Sequence, residues 1–313
     1  MNGLVNWGTT IKSEQGSAIA LVAIGMVVMI GAAALALDAG LLFINRARLV
    51  NALDSAVLAG AQYLPNDPDL ALQTAHEFAQ LNGAAQDECD FQLGASNCSI
   101  SGQADRQVAL HFARIFSQDS GRVEARAAAK VAPISSVMGI VPFGVLEDNF
   151  EFGRTVTLKA AAGENEYAGW FGALCLTGNG ANDYEDDIIK GYDGQISIGD
   201  IIQVENGNMS GPTKDGIEYR IDQCTHSPCC TVNSFQEGCS RILIVPIVNI
   251  QAINNGGHPE SIKVVGFAAF LVTEYTGSGD ENTVKGAFVR YIATGDTEGT
   301  PGDYGLYSAY LYE

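Results

Sequence analysis

The chain has 313 residues, 47 % of them hydrophobic and 17 % charged, with 17 basic against 36 acidic side chains and a formal net charge of −19. That composition excludes a wholly disordered chain and a coiled coil, and the acidic excess, with no basic run to offset it, excludes a nucleic-acid partner, because affinity for a phosphate backbone comes from clustered Lys and Arg. Residues 1–144 carry 8 basic and 12 acidic side chains and residues 145–313 carry 9 and 24, so the C-terminal half reads as the water-facing, self-repelling part.

From Gly16 to Leu37 the chain runs through 22 residues without a charge, which at helical rise covers the ~30 Å hydrocarbon core of a bilayer. A core helix rarely stays apolar on every face for so long, so the segment is predicted to insert in a membrane. Gly25, Gly31 and the alanines from Ala32 to Ala36 give it a small-residue face that permits close helix approach in lipid, or serve as ordinary filler. Asp38 closes the run, either as an interfacial carboxylate reaching water or Arg46, or as a contact to a partner helix. Beyond it Leu49, Leu53, Ala56, Val57, Gly60 and Leu64 recur at helical spacing, while Arg46, Arg48, Asn51, Asp54 and Gln62 take the other positions, so one long helix is predicted to leave the membrane and turn amphipathic. Pro65 stops it. Asp67 then caps a second helix with Pro68 at its first position, carried by Leu72, Phe78 and Leu81 and closed near Gly83.

Charges flanking the segment do not orient it: Lys12 and the terminal amine stand against Glu14 on one side, Arg46 and Arg48 on the other. All seven cysteines follow the segment, as expected if that side is oxidising and outside the cytoplasm. Two processing alternatives present themselves. Ala34-Leu35-Ala36 is similar to a signal-peptidase site, although the apolar run exceeds the usual ~7–15 residues. Residues Lys12 to Gly16 are similar to a prepilin-peptidase site, with Leu21 where such substrates usually place Glu.

From about residue 90 the pattern alternates with period two. Val108, Leu110 and Phe112 are predicted on one strand face, and Val123, Ala125, Ala127, Ala129 and Val131 alternate with Glu124, Arg126, Ala128 and Lys130 on a half-buried antiparallel strand. With helices at 45–64 and 68–82 this gives a small α+β layer. Pro133 opens a connector. Strand candidates follow around 154–160, 195–205, 216–222, 241–250, 262–274 and 284–293, with no convincing helix of ten residues. Ile242 to Val245 and Val264 to Val272 are apolar on both faces, as central strands are, and Pro246 points to a bulge or edge exit. The predicted fold class is α+β: a transmembrane helix continuing into an amphipathic helix, a small α+β layer, then an all-β sandwich or barrel-like domain. The expected divisions are a cytoplasmic tail at 1–16, the transmembrane helix at 17–44, the mixed region at 45–132, a connector at 133–153 and the acidic β-rich domain at 154–313.

Cys224, His226, Cys229, Cys230 and Cys239 are the residue types of a zinc site, but a vicinal pair is a poor tetrahedral template. In an extracytoplasmic domain, disulfides among Cys224, Cys229, Cys230 and Cys239, and a further one between Cys89 and Cys98, are the expectation, with no metal and no cofactor. Cys175 is left over, buried or reactive. Asp183, Glu185, Asp186, Asp187 and Asp193 lack calcium-loop spacing and read as a solvated acidic loop. His76, His111, His226 and His258 are scattered, and nucleophile-elbow, zincin and phosphate-loop patterns are absent, so no catalytic residue is assigned.

The elements of residues 15–61 occur in a familiar order: Gly16-Ser17, an apolar helix, Ala36-Leu37-Asp38-Ala39-Gly40, the block Arg46-Ala47-Arg48-Leu49-Val50-Asn51-Ala52-Leu53-Asp54, and the Ala-rich Ala56 to Ala61. This segment resembles the N-terminal region of TadE/TadG-like proteins of the Flp-type tight-adherence (Tad) pilus-assembly family, with Leu41 standing where Arg is often found. The stretch from Gly169 to Cys239, with Gly207 to Thr213, resembles C-terminal extensions of some of these proteins. The resemblance implies a single-pass cell-membrane protein with an extracytoplasmic C-terminal domain, a non-catalytic minor pilin-like component or assembly factor. Its implied partners are membrane lipid and other pilus-assembly or pilin-like subunits, met through a helix face bearing Gly25, Gly31, Asp38, Arg46, Asn51 and Asp54. The alternatives are a surface adhesin or ligand-binding ectodomain that uses the helix only as an anchor, and a secreted hydrolase with a hidden site.

Overall fold

The computed structural model describes residues 14–147, 150, 152, 154–159, 172–205, 207, 209–255, 257–277 and 282–312. The expected cytoplasmic tail, apart from its last residues, and Lys12 and Ser13 of the prepilin-like motif lie outside these residues.

Helix α1 (Glu14–Ala61) is continuous over 48 residues, about 70 Å at helical rise. Its two halves live in different surroundings. From residue 18 to 37 every side chain is exposed except half-buried Ala34. In the second half Leu49, Ala52, Leu53, Ala56, Val57 and Ala61 are each 1 % exposed or less, the i, i+3/i+4 stripe expected of a helix lying on a core. A short turn leads to α2 (Pro68–Leu81), where the Asp67 side chain accepts the Leu70 N–H at 3.0 Å and Pro68 occupies the first turn, the position that needs no N–H. The two helices cross at Gly60, where a Cβ would stand 2.7 Å from the Ala71 carbonyl oxygen; only glycine allows that approach.

Under the helices lie β1 (Cys89–Leu93), β2 (Ser99–Ala109) and β3 (Ser120–Pro133), an antiparallel meander. The β2–β3 register runs from Ser99 opposite Lys130 to Ala109 opposite Ser120 without a shift. Phe91, Ile100, Ala104, Val108, Val123, Ala125, Ala127, Ala129 and Val131 face the helices. The short alanines of β3 let α1 lie close to the sheet.

The rest of the chain adds β4 (Ser136–Val137), β5 (Val145–Leu146), β6 (Thr155–Lys159), β7 (Leu174–Cys175), α3 (Ala181–Lys190), β8 (Ile196–Ser197), β9 (Ile201–Val204) and α4 (Ser210–Asp222). Then come β10 (Ile242–Ile253), β11 (Pro259–Thr276), β12 (Thr283–Val289), β13 (Tyr291–Ile292), β14 (Gly295–Asp296) and β15 (Leu306–Leu311). The larger sheet has the order β5-β10-β11-β12-β6, with β9 paired to both β11 and β7. Strands β10 and β11 alternate between two cores: Leu243, Val245, Ile247, Ala268, Phe270 and Val272 enter one, while Ile242, Val248, Phe267, Ala269 and Leu271 enter the other. Both faces are therefore buried, as the unbroken apolar runs predict. The bulge expected at Pro246 falls one residue on, between Ile247 and Val248. A small sheet of β14-β4-β8 bridges the two layers, and β15 joins the first sheet between β3 and β13.

The fold class is thus α+β with a sandwich- or barrel-like second layer, and two details correct the sequence reading. Residues 181–190 and 210–222 are helical, so the expected strand at 216–222 is the second half of α4. These helices bury few apolar residues, Tyr184 and Ile188 on one and Ile217 on the other, and they form because they pack on each other, with Gly216 against Ile188, rather than from propensity. Phe112 is not on the strand face of Val108 and Leu110, because β2 ends at Ala109 and Phe112 is 40 % exposed in the turn that follows. Within the expected connector, Ile134, Val137, Ile140, Val141 and Phe143 are 2 % exposed or less.

Candidate functional site

The junction where α1 leaves its apolar half is built by Asp38. Its side chain is 5 % exposed, and its carboxylate accepts three consecutive peptide N–H groups: His111 at 3.0 Å to Oδ1, Phe112 at 3.0 Å and Ala113 at 2.7 Å to Oδ2. These N–H groups open a 3-10 turn, Ala113–Phe116, and have no helical acceptor of their own. Asp38 therefore clasps the loop between β2 and β3 to the helix. That loop presents Phe112, Ile115 and Phe116 to the outside, 40 %, 82 % and 69 % exposed, level with the end of the apolar run. Three large apolar side chains within five residues were the visible signal for this feature; of them, the sequence reading placed Phe112 on a strand face.

Within the chain, Asp38 is thus engaged by the peptide groups of the β2–β3 loop. Gly25 and Gly31 have nothing within 4 Å of a Cβ position. Arg46 and Asn51 are exposed and Asp54 is half-buried; partial burial pushes the Asp54 carboxyl above its ordinary value.

A second constellation lies between α4 and β10. None of the seven cysteines is paired at disulfide distance, so the expected disulfides are not seen. Cys224, His226, Cys230 and Cys239 instead converge, with their ligand atoms all within 4.8 Å of one another. Peptide N–H groups, first that of Cys230, hold the Cys224 thiol down at about 6, whereas burial pushes the Cys239 thiol up to about 12. Cys229, next to Cys230, turns the other way and meets the buried Arg241 guanidinium at 3.0 Å. Cys89 and Cys98 pack against the first core, and burial raises the Cys89 thiol. Cys175 donates to Asn179 Oδ1 at 3.0 Å, its thiol raised by burial and nearby carboxylates.

Asp183, Glu185, Asp186 and Asp187 belong to helix α3 rather than to a loop, and Asp193 follows it. Asp187 turns inward and accepts Thr177 N–H and Oγ1–H at 3.1 and 2.6 Å, and Asp186 pairs with Lys190 one turn on. His76 meets Phe91 edge-on at 4.9 Å, His111 belongs to the Asp38 clasp, and His258 is exposed.

These features define a class: an α+β body carried on one N-terminal helix that is long and apolar enough to cross a bilayer, with residues 18–37 of that helix outside the body's core. Residues 16–62 match the model of the Tad family, described as Flp pilus-assembly TadE/G-like, which is the family that the motifs of residues 15–61 resemble. No curated protein and no solved structure matches the chain.

Proposed function

We propose that the protein is a membrane-anchored, non-catalytic component of a Tad/Flp-type pilus or adhesion system, either minor pilin-like or an assembly factor, with residues 17–44 in the membrane and the acidic C-terminal part outside the cytoplasm. The observation that carries this reading is the match of residues 16–62 to a pilus-assembly family, which spans both the exposed apolar half of α1 and the half seated on the body. An anchor needs only length and hydrophobicity. The match continues through Arg46, Asn51 and Asp54, beyond any lipid, so more than anchoring is encoded there. Gly25 and Gly31, open on the lipid side, offer close approach to other helices, and Arg46 and Asn51 offer a polar continuation of the contact. The orientation rests on the family resemblance.

The test is a chimera in which residues 17–37 become a generic Leu/Ala membrane helix and Asp38 onward is kept. Chimera level and topology, read by protease accessibility on spheroplasts, should be near normal, while co-purification with other pilus components and piliation under electron microscopy are lost. Normal piliation, both in this chimera and in one exchanging residues 45–61, would favour the anchored adhesin.

A further inference from the structure

Residues 223–241 connect α4 to β10 with a single ladder contact of their own, the bridge between Thr231 and Ser234. A structureless connection well beyond ~12–15 residues is uncommon in a compact domain unless something holds it. Here Cys230 and Cys239 are each 3 % exposed and point at one another, at Cys224 and at His226. Thiols are weak donors and weak acceptors, so mutual hydrogen bonding gives three of them and an imidazole little reason to converge.

The spacings match those of a common ion. Zinc bonds sulfur at ~2.3 Å and imidazole nitrogen at ~2.0–2.1 Å, so the edges of a zinc tetrahedron are ~3.8 Å between sulfurs and ~3.6 Å from sulfur to nitrogen. Cys224 Sγ to Cys239 Sγ is 3.6 Å, Cys224 Sγ to His226 Nδ1 3.7 Å and Cys230 Sγ to His226 Nδ1 3.3 Å. The surroundings fit thiolates as well. Cys230 Sγ accepts the peptide N–H of Gln236 at 3.5 Å. Outer hydrogen bonds of this kind orient and stabilise metal ligands. A divalent ion with three thiolates and a neutral imidazole bears one net negative charge, and the Arg241 guanidinium, 7 % exposed and bonded to the Cys230 carbonyl at 3.0 Å, supplies a positive one beside it.

We propose that Cys224, His226, Cys230 and Cys239 form a closed structural site for one tetrahedral divalent ion of the zinc type. Binding displaces the three thiol protons to solvent and leaves no open coordination position, so the ion holds the loop rather than performs chemistry. The soft sulfur and imidazole donors exclude magnesium and calcium. Cys229 is outside the set.

The experiment uses the full chain, extracted from membranes in detergent without chelator, with metal content read by mass spectrometry. Stoichiometric zinc is expected, retained in Cys229→Ser and lost in Cys230→Ser. Should Cys230→Ser fail to fold, His226→Cys keeps four ligands: it should retain the ion, and its cobalt-substituted form should show a sulfur-to-metal absorption band shifted from that of the parent. The proposal is overturned if the reduced chain takes up no zinc, if non-reducing peptide mapping finds Cys224, Cys230 or Cys239 in a disulfide, or if Cys229→Ser loses the ion as Cys230→Ser does.

Discussion

Arg106 grips Glu88 with two nitrogens, Nε to Oε1 at 2.8 Å and Nη2 to Oε2 at 2.7 Å. The same Nη2 reaches the Gly83 carbonyl at 2.7 Å, and Glu88 Oε2 accepts the Ala85 N–H at 2.9 Å. One ion pair, its side chains 17 % and 20 % exposed, thereby ties the end of α2 to β2 across the start of β1. The Arg106 hydrogen bond holds the Glu88 carboxyl below its ordinary value. An acid whose folded pKa is depressed stabilises the fold above its unfolded value, ~4.3 for Glu, and that stabilisation is lost as pH falls through the folded value. Replacing Glu88 by Gln should cost about 1–2 kcal/mol at neutral pH, and the gap in urea midpoint between variant and parent should close on acidification below ~4. A gap that persists in acid would assign the loss to packing. Nothing in the sequence pairs these two residues among so many acids, because the β1–β2 register that brings them together depends on the whole layer. Cys229 and Cys230 make the same point for the metal-like cluster: residue types were legible, but which of two neighbours turns inward is decided by Arg241, eleven residues on.

At the scale of elements, α1 and α2 were legible because their signals are local: an apolar stripe at helical period, Pro65 to stop, Asp67 to cap. The strands β10 and β11 were legible from apolar runs on both faces. Helices α3 and α4 were not, since a helix built around Tyr184, Ile188 and Ile217 owes its stability to neighbours the sequence does not order. The turn at Ala113–Phe116 lies between these cases. Its apolar side chains, fixed by Asp38 at the end of the apolar run, stand where the interface of a bilayer would be, and large apolar and aromatic side chains favour that level. With Trp7 and Trp170 replaced by Phe, a tryptophan at Ile115 should be quenched by brominated lipid in reconstituted bilayers, while one at Ile201, 60 % exposed on β9, should not. Equal behaviour of the two would place the body clear of the lipid.

Across the whole molecule, the first layer is closed by the last strand. Tyr307 stands opposite Pro133 and Leu311 opposite Ala129 in the β15–β3 ladder, and Tyr307 enters the same core as Leu53 and Val57 of α1. A chain ending at Asp303 would leave β3 as an open edge, and such edges recruit other strands; it should accumulate as aggregate or be degraded, while changes confined to the exposed tip at Tyr312 are tolerated. Soluble or detergent-dispersed yield of the shortened chain, normal and monodisperse, would refute this. The arrangement also bears on the order of events in the cell. Helix α1 is synthesised well before β15, yet the layer on which it is seated is finished only when β15 has emerged from the ribosome and paired with β3. Completion of the helix's seat thus waits on β15, and a chain interrupted before that strand offers the apolar helix without the rigid body to carry it.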